Sequence, residues 1–397
     1  MAKMGNALPF AEGTLSKQQV PGFWEQVSTR VAFFIAGFGI SAWAPLVPYA
    51  KARLGVDEAA LGFLLLCLGA GSISIMPFAG LLAARFGCRL IIGLASLFLC
   101  ITLPFLATVA SIPAAVVALL VFGAAVGMID VVVNIQAVIV EKASGRPMMS
   151  GFHGLWSVGG FVGAGSVSGL LEAGVSPVAA MLGVVVIILG LLVMFGRYLL
   201  PYGSEEKQGP LFVLPKGIVL FIGILCFIVF LAEGSMLDWS AVFLTSLRGV
   251  ELSQAGLGYS LFSVTMTIGR LTGDRIVAKF GGKNVILFGG IGAAAGIAIA
   301  VFVPTWTAAL FGFALLGLGS SNIVPVLYSV LGRQKVMPAN LAVSAVSTLG
   351  YSGILAGPAL IGFMAHSISL PFAFVVVAAT MLMVAASSVI VAKNSTP

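Results

Sequence analysis

The chain has 397 residues, of which 60% are hydrophobic and only 8% charged, and its formal net charge is +7. An ordinary globular chain is about a quarter charged, so the composition excludes a soluble domain and implies a polytopic membrane protein. The net positive charge does not mark a nucleic-acid partner, because the basic residues sit in the short connections between apolar runs.

A membrane-spanning helix needs about 20 mostly apolar residues. That length predicts twelve spans, at 27–49, 58–83, 89–110, 113–140, 149–173, 177–200, 216–246, 254–278, 284–303, 306–331, 340–366 and 370–392. Residues 1–26 hold no apolar core and no small-residue cleavage site, so the first span is expected to serve as the insertion signal. With that tail inside, the inner loops and tails carry sixteen of the twenty Lys and Arg residues. The outer loops carry three, Lys51, Arg53 and Arg248, and Arg270 lies within a span. The asymmetry places both termini in the cytoplasm. The longest connection, 201–215, falls at mid-chain and divides two six-span bundles, 27–200 and 216–392, flanked by tails 1–26 and 393–397. Arg85-Phe86-Gly87 precedes Lys279-Phe280-Gly281 by 194 residues, and Gly123–Gly317 and Gly163–Gly357 share that offset. The expected architecture is therefore all-α, with two pseudo-symmetric halves.

Polar residues within the spans are few. The first span offers Ser41, Trp43 and Tyr49. The fourth offers Asp130, Asn134 and Gln136, with Asp130 and Asn134 one helical turn apart on one face. Asp130 lies ~25 Å along that span, in the inner half of the membrane. The fifth opens with His153 and Trp156, at a depth similar to that of Asn134. Histidine titrates near neutral pH, so His153 reads as a proton carrier or as a hydrogen-bonded gate residue. The seventh carries Glu233 and Asp238 around Gly234-Ser235, which should weaken the helix. Intramembrane acids mark solute or ion paths unless they cap a helix end. Arg270 and Asp274, one turn apart in the eighth span, read as an intrahelical pair steadying the inner gate, or as a direct hold on an anionic solute. Asn322 and Tyr328 in the tenth span and Tyr351 in the eleventh complete the set. Aromatic faces with amides suit a neutral polar ring, although each aromatic alone also reads as packing. Pro45, Pro48, Pro77, Pro104, Pro325 and Pro358 are expected to kink their helices.

The four cysteines, Cys67, Cys88, Cys100 and Cys226, form no C-x-x-C and read as small buried apolar residues. No nucleotide loop, metal cluster or nucleophile–base pair is recognisable, so neither an enzyme nor a bound cofactor is expected.

Gly80-Leu81-Leu82-Ala83-Ala84-Arg85-Phe86-Gly87-Cys88-Arg89 resembles the loop signature of the major facilitator superfamily. Ala84 replaces its acid and Cys88 one of its basic residues. The looser second copy, Asp274 to Lys283, has Ala278 at the acidic position. The resemblance implies two six-helix bundles with the solute site between them. It also implies that Arg85 and Arg89 belong to the inner gate, with Arg270, Asp274 and Asp238 as further gating residues. Asp274 is the candidate substitute for the missing acid. Gly127–Asn134, Arg146–Gly165, Ala232–Trp239 and Gly269–Gly273 resemble the fucose-permease branch, close to enterobacterial inner-membrane members. That branch implies proton-driven uptake of a small polar solute; by their own chemistry Asp130 and His153 are the candidate proton carriers, Asp130 reading otherwise as a static acid paired across the bundle to hold its helix. Glu233, Asn134, Trp43, Trp156, Asn322, Tyr328 and Tyr351 would form the solute site. Sugar-transporting members carry an acid on the first helix, and Ser41-Ala42-Trp43-Ala44-Pro45 has none. Efflux antiport of amphipathic compounds is the alternative. Gly163-Ala164-Gly165 lacks the proline of antiporters, which favours uptake. A transporter-like sensor would need a further domain, and 201–215 is too short for one. The expected partners are the solute, protons and the bilayer, for a monomer in the bacterial inner membrane.

Overall fold

A computed structural model describes residues 21–204 and 214–393. Lys3, Lys17 and Lys207, most of the 1–26 tail and the centre of the 201–215 connection lie outside the described residues. The first half of the chain forms α1 (Phe23–Ser41), α2 (Val47–Leu54), α3 (Glu58–Phe86), α4 (Cys88–Leu106), α5 (Ile112–Ser144), α6 (Met149–Glu172) and α7 (Pro177–Phe195). The second half forms α8 (Ile218–Arg248), α9 (Leu257–Phe302), α10 (Trp306–Ser320), α11 (Ile323–Leu331), α12 (Ala339–Ser367) and α13 (Leu370–Lys393). No strand occurs among the described residues, and 11 helical segments are long and apolar enough to cross a membrane. The protein is an all-helical, multi-pass membrane protein.

Four of the expected spans differ in detail. The first span leaves helical geometry after Ser41, passes through a 3-10 turn at Ala44–Leu46 and resumes as α2. Pro45 and Pro48 have no N–H for the carbonyls of Ser41 and Ala44, so a continuous helix would lose two hydrogen bonds there. The tenth span breaks between α10 and α11 at Ser321-Asn322, where Pro325 likewise leaves the Ser321 carbonyl without its helical donor. Pro77, Pro104 and Pro358, in contrast, stay inside continuous helices. The eighth and ninth spans run together as α9, whose 46 residues turn at Gly281 (φ 76°, ψ 152°).

Gly281 has a counterpart. Gly87 ends α3 with nearly the same backbone (φ 83°, ψ 153°), and the two lie 194 residues apart. Residues with a Cβ rarely hold such a positive φ, so both corners call for glycine. The same offset governs the packing. Gly123 on α5 faces the Leu68 carbonyl of α3, and Gly317 on α10 faces the Phe262 carbonyl of α9. At the end away from the termini, the Arg53 guanidinium donates to the Leu106, Ala107 and Val109 carbonyls at 2.6–2.8 Å. Arg248 donates to the Ala300 and Val301 carbonyls at 2.6 and 2.8 Å, the same offset from Leu106 and Ala107. Each arginine thus takes up carbonyls that a helix end leaves without a partner.

In the first half α1 packs on α6, and α5 on α3 and α4. In the second, α8 packs on α12, and α9 on α10 and α13. Between halves, α3 meets α12 and α6 meets α9. One membrane end gathers Gln26, Glu141, Arg146, Lys283, Arg333 and Val391, and is called here the basic end. All four cysteines are free and buried.

A Cβ at position 123 would clash with the Leu68 backbone, which cannot rotate away. Gly123→Ala is therefore expected to cost about 3 kcal/mol or more and to abolish a monodisperse peak on size exclusion in detergent. Gly165→Ala, where a Cβ meets nothing within 4 Å, should leave that peak unchanged.

Candidate functional site

Arg270 stands where three helices meet. Its Nη2 lies 3.2 Å from Glu233 Oε1 and 3.4 Å from Oε2, and its Nη1 donates to the Ser157 hydroxyl at 3.1 Å. The side chains of Arg270 and Glu233 are 10% and 16% exposed. The pair ties α9 to α8, and the Ser157 contact carries it across to α6 in the other half. Arg270 Nε is buried without a partner. Small residues make these approaches possible. Gly234 sets α8 against the Ile354 backbone of α12, and Gly269 sets α9 against Ser321. The expected weakness at Gly234-Ser235 does not appear. α8 is continuous from Ile218 to Arg248, and the Ser235 hydroxyl bonds the Leu231 carbonyl within the helix at 2.7 Å.

The expected Arg270–Asp274 pair is also absent. The Asp274 carboxylate turns instead to the start of α6, where Oδ1 accepts the Gly151 N–H at 2.9 Å. Glu141, 6% exposed, accepts the Met148 and Met149 N–H groups at 2.8 Å each. The first four N–H groups of a helix have no internal acceptor and carry its positive end. Two carboxylates are the strongest acceptors available to them, which outweighs the one-turn spacing to Arg270.

One layer above the Asp274 contact, His153 Nε2 donates to Asn134 Oδ1 at 3.1 Å, and Asn134 Nδ2 donates to the Asp130 carbonyl at 2.9 Å. Asn134 therefore bonds the Asp130 backbone rather than its carboxylate. The His153 ring lies 5.3 Å from Phe33 and 5.8 Å from Tyr328, and the fully buried Tyr328 shares a 2.6 Å hydrogen bond with Ser347. The half-buried Asp130 carboxylate has no hydrogen bond or ion pair among the described residues. It lies within electrostatic reach of Tyr328 and of Tyr351.

Other sequence-stated candidates lie elsewhere. Trp43 is buried within the first half, beside Leu54, Leu64 and Leu119, and its indole N–H has no partner. Asn322 donates to the Gly269 carbonyl at 3.0 Å, locking the break between α10 and α11 onto α9. Trp156 packs half-buried against the core, and its backbone touches Gly37 of α1. Asp238 is exposed, ten residues before the end of α8, so it caps no helix. Arg85 is exposed and stacks 5.3 Å over Phe86. Arg89 bonds the Leu199 and Arg197 carbonyls within its own half. Gln136 joins the Thr29 hydroxyl to the Leu200 N–H. Ser157 and Glu141 were not singled out from sequence. A serine one turn after His153 and a glutamate at the end of a span carry no local signal of their partners.

The contacts between halves run from mid-helix to the basic end. They are Gly69–Leu355, Arg270–Ser157, Asp274–Gly151 and Asn340–Gly80. Toward the other end, Phe161 on α6 and Tyr259 on α9 are exposed. A cavity of about 800 Å3 opens at the basic end, lined by Lys142, Tyr202, Lys335 and Asn340 among others; Glu233, Arg270 and Asp130 do not line it. No group of His, Cys, Asp and Glu suited to a metal occurs among the described residues.

The family model of the Major Facilitator Superfamily matches residues 31–250 and again 222–396. An uncharacterised MFS-type transporter of Yersinia pestis is 57% identical over 368 residues, covering 93% of this chain and 96% of that one. The Escherichia coli fucose:proton symporter FucP superposes with a TM-score of 0.76 at 16% identity, over 94% of this chain and 98% of that one. FucP in its outward conformation superposes with a TM-score of 0.77, over 94% and 99%. A duplicated helical fold, a charged pair where its halves meet and a family match over both halves lead to one assignment: this chain belongs to the Major Facilitator Superfamily and is a transporter, not an enzyme.

Proposed function

We propose that the protein is a secondary active transporter that takes up a small polar solute, sugar-like or otherwise neutral, across the bacterial inner membrane with a proton. The observation that carries this reading is the Glu233–Arg270–Ser157 chain, which joins the two halves inside otherwise apolar helices. Such groups are costly in a membrane unless they face a solute path. In this reading the basic end is cytoplasmic, following the excess of Lys and Arg there. α9 crosses twice, turning at Gly281, which makes twelve spans in bundles 27–200 and 216–392 with both termini inside. The contacts between the halves gather toward the cytoplasmic side, which favours a site that faces outward. Glu233, Arg270, Trp156 and Tyr351 border the solute, Asp130 exchanges the coupling proton, and His153, Asn134 and Tyr328 form the closed floor. The fold likeness to a fucose:proton symporter supports proton coupling by analogy.

A thermal-shift screen of the purified protein against sugars, nucleosides, amino acids and lipophilic cations tests this. A solute at ~100 times its Kd stabilises the folded state by ~2.7 kcal/mol. Small polar solutes should raise the transition temperature. A shift with large lipophilic cations alone would sink uptake of a polar solute.

A further inference from the structure

The cavity of about 800 Å3 at the basic end has its walls in different halves. One wall is the end of α5, with Ile135, Ile139 and Lys142, together with the stretch that follows α7. That stretch is fixed to its own half. Gln136 accepts the Leu200 N–H at 3.1 Å, and Gly203 lies against the Ala83 backbone of α3. The other wall is the link from α11 to α12, with Lys335, and the start of α12, with Asn340 and Val343. The Gln334 side chain ties that link to itself, accepting the Val336 and Met337 N–H groups at 2.7 and 3.0 Å. The walls meet at Gly332, where a Cβ would lie 2.7 Å from the Val138 side chain. The cavity is thus shaped by bonded segments, and its volume is that of a small-molecule site.

Its chemistry is one-sided. Lys142 and Lys335, one from each half, make no hydrogen bond or ion pair among the described residues. No acidic residue lines the cavity among the described residues. Glu141, beside Lys142 in sequence, is engaged by the Met148 and Met149 N–H groups. Pro338 brings no side-chain cap to α12, and the N–H groups of Ala339 and Asn340 have no acceptor among the described residues. Both residues line the cavity, so a helix of 29 residues turns its positive end to it. Two ammonium groups and two N–H groups are donors only. A phosphate ester brings such a set negative charge and several acceptor oxygens at once. The rest of the wall describes the rest of the ligand. Asn340 is 5% exposed, and its Oδ1 has no donor among the described residues, which a ligand hydroxyl can supply. Ile135, Ile139 and Val343 offer apolar surface to a carbon skeleton.

We propose that this cavity binds a phosphate ester of a polyol, held between Lys142 of one half and Lys335 and the start of α12 of the other. Glu233, Arg270 and Asp130 do not line it, so the site stands or falls independently of the solute reading above. Thermal-shift titrations of the purified full-length protein in detergent test it with two probes. Glycerol 3-phosphate presents this chemistry in soluble form, and short-chain phosphatidylglycerol presents it as a lipid headgroup. Glycerol 3-phosphate should raise the transition temperature with an apparent Kd roughly tenfold below that of inorganic phosphate, which has no carbon body to bury. Lys142→Gln and Lys335→Gln should each raise that Kd roughly tenfold, as for loss of a charge-assisted hydrogen bond. Lys279→Gln, an exposed lysine that does not line the cavity, should leave it unchanged. A shift with phosphatidylglycerol alone, dependent on both cavity lysines, would support the site and place its ligand in the membrane. An effect of one cavity lysine without the other would put the ligand on a single wall and overturn a site between the halves. Equal loss in all three variants, or inorganic phosphate binding as tightly, would mean diffuse attraction and overturn the proposal. No shift with either probe would overturn it as well.

Discussion

Asp130→Asn transporter is expected to bind and exchange solute at near wild-type levels but to lose essentially all accumulation driven by a pH gradient. The reason is the isolation of the carboxylate. Asp130 lies 18 residues into α5, ~27 Å along a helix of ~50 Å, so it is remote from both membrane surfaces. Arg270, the nearest candidate cation from sequence, is engaged by Glu233 and Ser157. Asn134 bonds the Asp130 backbone, and His153 bonds Asn134. With no hydrogen-bond or ion-pair partner among the described residues, the charge on Asp130 is expected to follow whichever water it meets in each state, as a coupling group requires. A static structural acid would instead be paired, since an unpaired buried charge brings no stability. An amide in its place keeps the shape and cannot exchange a proton. Counterflow and gradient-driven uptake in proteoliposomes separate the two functions. Wild-type accumulation by Asp130→Asn would remove this residue from coupling.

The second large effect concerns Arg270 and Glu233. Glu233→Gln and Arg270→Gln are each expected to destabilise the protein by about 3 kcal/mol, because each leaves the opposite charge buried without its counter-ion. The double variant should recover most of that loss, since two amides can bond each other and leave no charge behind. The low exposure of both side chains, 10% and 16%, is why the cost exceeds that of a surface pair. Denaturation of the four proteins in detergent gives the coupling energy directly. Strict additivity would mean that the 3.2 Å contact contributes nothing. Solute binding should fall in all three variants, including the stable double variant. Undiminished binding in Glu233→Gln would place the solute elsewhere.

The sequence alone determined the broad plan. Length and apolarity are local properties, so the long apolar helices were legible, apart from the interruptions at Pro45–Pro48 and Ser321-Asn322 and the joining of the eighth and ninth spans in α9. The 194-residue offset was legible too, and Gly87 and Gly281 share a backbone corner because glycine there is a local requirement. The depth match of Asn134 and His153 followed from antiparallel neighbouring helices of known rise, and they meet at 3.1 Å. What the tertiary structure alone decided is which polar groups are partners. Spacing on one helix paired Arg270 with Asp274. Packing offered Arg270 a carboxylate 37 residues away in sequence and offered Asp274 the free N–H groups of another helix. It also turned Trp43 into its own half and left Asp130 without a partner among the described residues. Inside a membrane a polar group must find its partner within the protein. The best partner is set by which helices touch and at what height, a relation between distant segments that no window of sequence contains.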